Sequence, residues 1–168
     1  GGVHRSSSAS PLNTSRPPTD LRNATGPMRS CAQSPAQVPS SAGNAAANVL
    51  SGADGNDLAW GAAGNDTLAG GNGNDVLQGG DGNDTISDTA GNNVLDGGLG
   101  ADTLTGASGR EILIGGRGDD TITAGTGADI FAFNKGDGRD TIVATAGADD
   151  TLSLGGGIRY ADLGLRKV

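Results

Sequence analysis

Gly70-Gly71-Asn72-Gly73-Asn74-Asp75-Val76-Leu77-Gln78 runs without a gap into Gly79-Gly80-Asp81-Gly82-Asn83-Asp84-Thr85-Ile86-Ser87, the same nine-residue phrase stated twice. Stepping by nine in both directions, a polar position recurs at Asn48, Asp57, Asp66, Asp75, Asp84, Asn93, Asp102, Glu111, Asp120 and Asp129. Every one of them is acidic or Asn. Two residues further along stand Leu50, Ala59, Leu68, Leu77, Ile86, Leu95, Leu104, Leu113, Ile122 and Phe131, all large and apolar except Ala59. From Asp57 onward a glycine lies two residues before each polar position, from Gly55 through Gly64, Gly73 and Gly82 to Gly127. A register held through ten units marks a repeat architecture and not a Gly-rich linker. Collagen is excluded, because the period is nine and the repeats contain no proline.

Within each unit the first six residues are turn formers, glycine adopting positive φ freely and Asn or Asp tolerating it. The last three, such as Thr67-Leu68-Ala69, suit a short strand with its middle side chain pointing inward. Turn, strand, turn, strand makes a coil of two units, 18 residues long. Stacked coils give an all-β fold, a parallel β-roll or β-solenoid of nonapeptide repeats, preceded by a disordered tail.

The wider chain agrees with a thin core. Of 168 residues 32 are glycine, while Leu, Ile, Val and Phe together supply 30, and the net charge is −8. Without the repeat, that composition describes a disordered chain. It excludes an ordinary globular enzyme core, and no apolar run approaches the roughly 20 residues of a membrane span. An acidic pI of about 4.3 disfavours nucleic acid and anionic lipid and favours cations as partners. Cys31 is a lone cysteine and has no intramolecular disulfide partner.

Composition also divides the chain. Residues 1–42 hold all six prolines, nine serines, four arginines and one acid, Asp20, and read as a disordered Ser/Pro-rich tail or linker. Residues 43–142 hold the repeats. Residues 143–168 read as a truncated C-terminal β segment that closes or follows the roll. No apolar region of a cleavable signal peptide is visible in the first residues, and the absence of an initiator Met points to a fragment.

The unit G-G-x-G-N-D-x-L-x resembles the calcium-binding nonapeptide of the RTX (repeats-in-toxin) proteins. The resemblance runs strongly from Asn48 to Ile142 and more weakly through Thr151 to Leu163. It implies several bound calcium ions and a repeat region belonging to a larger secreted bacterial protein. Such proteins leave by type I secretion and act as toxins, hydrolases or epimerases through other regions.

The charge pattern bears on the same expectation. Units two apart share one side of the roll, so Asp66 and Asp84 stack at about 4.8 Å, repelling by roughly 3–4 kcal/mol at an effective dielectric near 20. A divalent cation between turns reverses that sign. Calcium suits the donors, being a hard ion that takes six to eight oxygens in flexible geometry. Magnesium demands a tighter octahedron, and zinc prefers nitrogen or sulfur, while His4 in the tail is the only histidine. The expected ligands are Asp57, Asp66, Asp75, Asp84, Asp102, Asp120, Asp129 and Asp140, with backbone oxygens of Gly64, Gly73 and Gly82.

The two sides are unequal. One carries Asp57, Asp75, Asn93, Glu111 and Asp129; the other carries Asn48, Asp66, Asp84, Asp102 and Asp120. Asn93 lacks a charge and Glu111 is one methylene longer, which weakens the centre of the first side. Asp88-Thr89 replaces Gly-Gly there and makes the turn irregular. Past Asp129 the step lengthens to reach Asp140. Asp54, Asp81, Asp96, Asp119, Asp137, Asp149 and Asp150 read as solvated turn residues.

No catalytic constellation accompanies the repeats. The chain has no H-E-x-x-H, G-x-S-x-G, Walker or EF-hand pattern. Trp60 and Tyr160 read as edge or terminal packing residues, and Phe133 as a cap over Phe131. The expected function is a calcium-binding module that folds on meeting extracellular calcium. The alternative is a calcium-stiffened structural or adhesive spacer of a cell-surface protein. An ice-binding roll is disfavoured because the position before each turn glycine holds no threonine row.

Overall fold

The computed structural model describes residues 29–30, 40–143 and 149–159. Fourteen strands, numbered along the chain, form two parallel sheets, and no helix occurs among the described residues. The first sheet takes β1 (Arg29–Ser30), β3 (Val49–Asp54), β5 (Thr67–Asn72), β7 (Thr85–Ser87), β9 (Thr103–Thr105), β11 (Thr121–Thr123) and β13 (Thr141–Val143), in that order. The second takes β2 (Ser40–Ala42), β4 (Leu58–Ala63), β6 (Val76–Asp81), β8 (Val94–Leu99), β10 (Ile112–Arg117), β12 (Ile130–Phe133) and β14 (Thr151–Leu154). The chain therefore crosses from one sheet to the other at every turn, a β-solenoid of about six coils.

The 18-residue coil is visible in the register. Leu68 pairs with Leu50 and Ile86, and Leu95 with Leu77 and Leu113. At the far end the coils lengthen, Thr121 pairing with Thr141 and Ile130 with Thr151. The inward row is the expected one: Leu50, Ala59, Leu68, Leu77, Ile86, Leu95, Leu104, Leu113, Ile122 and Phe131 are all buried. Phe133 packs partly buried against them, and Trp60 stands half-exposed on the outer face of β4. Two such side chains per coil offer too little apolar surface to offset the ordering of 18 residues.

One expectation needs correction. Several strands run six residues where three were expected, because the ladder continues through the first glycine of each unit. In β6 that residue is Gly79, buried and inward like Leu77. Only about three residues, such as Gly82-Asn83-Asp84, are left for the turn. Two short stretches within residues 1–42 are strands as well: Arg29–Ser30 pairs with β3 and Ser40–Ala42 with β4. A parallel sheet exposes unpaired N–H and C=O groups at its edge, and short runs can add there through their backbone without periodicity. The rest of that tail, with His4 and Cys31, and Tyr160 and Leu163 at the other end, lie outside the described residues.

Candidate metal centre

Each turn places its acidic residue at the point where the chain enters a strand, so the carboxylates of successive coils stack along the roll. On the turns that lead from the second sheet to the first, one oxygen of each carboxylate is held by the backbone one coil earlier. Asn48 N–H donates to Asp66 Oδ1 at 2.7 Å, Asp66 N–H to Asp84 Oδ1 at 2.7 Å and Asp84 N–H to Asp102 Oδ1 at 2.7 Å. The ladder continues from Asp102 N–H to Asp120 Oδ1 and from Asp120 N–H to Asp140 Oδ1. Asp140, 20 residues beyond Asp120, thus occupies the next rung despite its longer turn.

The second oxygen is the informative one. Oδ2 of Asp66, Asp84, Asp102 and Asp120 is buried and has no hydrogen-bond partner, and the same holds on the other side for Oδ2 of Asp57, Asp75 and Asp129. All these side chains are at most 4 % exposed. A buried unpaired carboxylate oxygen is costly and calls for a counter-charge. The oxygens do not stand alone. A methyl group built on Gly61 would lie within 3.0 Å of both Asp66 Oδ2 and the carbonyl oxygen of Gly79. The pattern repeats at Gly52 with Asp57 and Gly70, at Gly79 with Asp84 and Gly97, and at Gly97 with Asp102 and Gly115. These four glycines therefore leave room where a carboxylate oxygen and a backbone carbonyl converge. Among the described residues no three His, Cys, Asp or Glu side chains come together. The donor set is carboxylate plus carbonyl, hard oxygens of the kind calcium takes.

A family model for the RTX calcium-binding nonapeptide repeat matches the chain four times, over residues 42–77, 78–110, 105–137 and 135–157. The chain belongs to the RTX calcium-binding nonapeptide repeat family. It is a calcium-binding module built as a β-roll. No curated protein sequence matches it.

Electrostatics of the RTX columns follows from burial without a counter-ion. Burial, then the charges of Asp120, Asp84 and Asp96, push the Asp102 carboxyl up to about 7, against a lowering hydrogen bond from Asp84 N–H. Asp84 is raised by burial first and then by Asp66 and Asp81, and Asp120 and Asp140 are raised chiefly by burial. A cation in the columns would favour the ionised forms and reverse these shifts.

The first side of the RTX roll is broken at its centre. Asp57 N–H donates to Asp75 Oδ1 and Asp75 N–H to Asn93 Oδ1; further on, Glu111 N–H donates to Asp129 Oδ1. Both oxygens of Glu111 are buried and unpaired, as is Asn93 Nδ2. Burial first, and then Asp129 and Asp88, push the Glu111 carboxyl up to about 7. Asp57 has neither oxygen bonded, and burial and Asp75 raise it.

Some participants escaped the sequence reading. Asp150, expected to be a solvated turn residue, accepts the Asp129 N–H at 3.1 Å as the last rung of its side. The phrase Asp149-Asp150-Thr151-Leu152 repeats Asp119-Asp120-Thr121-Ile122 and carried that signal. The carbonyls at the orphaned oxygens belong to Gly70, Gly79, Gly97 and Gly115, whereas those of Gly64, Gly73 and Gly82 lie against the Cα of Gly82, Gly91 and Gly100 one coil later. The Asn residues that precede Asp57, Asp66, Asp75 and Asp84 have their own ladder, running the other way: Asn56 Oδ1 accepts from Asn74 N–H, Asn65 from Asn83, Asn74 from Asn92 and Asn83 from Ala101.

Proposed function

We propose that this chain is a calcium-triggered folding module of a larger secreted bacterial protein of toxin, hydrolase or epimerase type, and that it acts outside the cell. The observation that carries the reading is the column of buried, unpartnered Oδ2 atoms on Asp66, Asp84, Asp102 and Asp120. Stacked carboxylates oppose the roll and a divalent cation between them supports it, so metal-binding free energy becomes folding free energy. Asp57, Asp75, Asp129 and Asp140 serve as further ligands, with calcium held at several levels. A chain of this kind stays open where calcium is scarce, the state in which a type I secretion apparatus would pass it, and closes where calcium is plentiful. The module is a binding and structural unit, and any chemistry belongs to other parts of its parent.

Far-ultraviolet circular dichroism of the chain, titrated with calcium from a chelated start, tests the reading. β structure is expected to appear by millimolar calcium, with much less response to equal magnesium. The same β signal in chelator and in calcium would reject it.

A further inference from the structure

In the interrupted side of the roll, the turn of residues 88–93 reads Asp-Thr-Ala-Gly-Asn-Asn where its neighbour at 70–75 reads Gly-Gly-Asn-Gly-Asn-Asp. The carboxylate is missing from the sixth position and present at the first. Asn93 still supplies a rung to Asp75 N–H through Oδ1, but its other end is an N–H donor, which cannot ligate a cation. Asp88 is 4 % exposed, and its two oxygens are treated differently. Oδ1 accepts the Ala90 N–H at 3.0 Å, and the Asp88 N–H is tied to the Thr105 carbonyl at 2.9 Å, so the side chain is held from both ends. Oδ2 is buried and has no partner.

That free oxygen lies where a ligand is needed. At Gly52, Gly61, Gly79 and Gly97 the space beside the glycine Cα is shared by an Asp Oδ2 and the carbonyl of the first residue of the next coil's turn. At Gly70 the same space is shared by Asp75 Oδ2 and Asp88 Oδ2, both within 3.0 Å of the built position. The side chain of residue 88 stands where its carbonyl group would be expected from the neighbouring levels. Two buried carboxylate oxygens converging without a donor call for a positive charge between them, a shared proton or a cation.

We propose that Asp88 is a metal ligand which, with Asp75, holds a calcium ion between the 70–75 and 88–93 turns and replaces the carboxylate that Asn93 lacks. The proposal rests on the calcium reading of the roll. It makes the irregular turn a relocated site in place of a gap, and it predicts that substitutions at 88 and 93 compensate each other.

Calcium bound per chain, measured by equilibrium dialysis on the full chain, decides it. Asp88→Asn keeps the oxygen that accepts from Ala90 N–H, so the turn retains its cap, and circular dichroism in calcium confirms the fold. One ion fewer than the unaltered chain is expected. Asn93→Asp added to Asp88→Asn is expected to restore the count. An unchanged count in Asp88→Asn, or an extra ion in Asn93→Asp alone with Asp88 intact, would overturn this assignment while leaving the calcium reading standing. An unaltered chain that binds no calcium would overturn both.

Discussion

Replacing Asp84 separates the two jobs its carboxylate performs. Oδ1 accepts the Asp66 N–H at 2.7 Å, and Oδ2 is the unpaired oxygen beside Gly79 and the Gly97 carbonyl. Asp84→Asn keeps the first and neutralises the second. Without metal, the substitution removes repulsion from facing carboxylates, roughly 3–4 kcal/mol for each pair at an effective dielectric near 20. The metal-free roll therefore becomes more stable. With metal, a direct ligand is gone; outer-shell changes alone cost about 10–100-fold in metal affinity, so the calcium midpoint should rise at least about tenfold. Asp84→Ala loses the rung as well, leaving a buried N–H unpaired at about 1–3 kcal/mol, and should raise the midpoint further while giving the metal-free state a smaller gain. Circular dichroism against free calcium gives the midpoints, and the signal in chelator gives the metal-free state. An unchanged midpoint in Asp84→Asn, or a metal-free state no more ordered than that of the unaltered chain, would refute the reasoning.

The remaining predictions concern protons and backbone. Asp102 and Glu111 have folded carboxyls raised to about 7, chiefly by burial, so the metal-free roll gains stability below the ordinary carboxylate range and loses it as pH rises through 7. In chelator, β structure should therefore be greater at pH 4 than at pH 8; an equal β signal in chelator at the two pH values would contradict the burial of these groups. Each group contributes up to about 1.4 kcal/mol per pH unit. Ala62 sits at φ 85, where its neighbours in the pattern are glycine, so Ala62→Gly should stabilise the calcium-loaded roll by about 0.5–1 kcal/mol in thermal unfolding. Gly82 has φ 130, and a methyl there would meet the Gly64 carbonyl; Gly82→Ala should cost at least about 2 kcal/mol in the same assay.

How much was legible depended on whether a residue acts through its spacing or through its neighbours in space. The nine-residue step placed Leu68, Leu77 and Ile86 inward because a strand alternates faces and the coil length is a multiple of the step. It also aligned Asp66, Asp84, Asp102 and Asp120. Its limits appear where a residue's role lies across coils. The buried first glycines read as turn residues, although Gly79 continues a strand and leaves space opposite Asp84. Asp88 read as an irregularity because its partner Asp75 is a coil away and a different turn position is involved. The Asn ladder was hidden for the same reason, and Ser40–Ala42 pairs with β4 through its backbone, which periodicity does not report.

The central claim is that buried carboxylate columns hold calcium at successive levels. Calorimetric titration of calcium into the chelator-stripped chain counts those ions directly. The four gaps joining Asp66, Asp84, Asp102, Asp120 and Asp140 predict at least four ions per chain, with magnesium at equal concentration binding far more weakly. A count below four, or equal uptake of magnesium, would contradict the account.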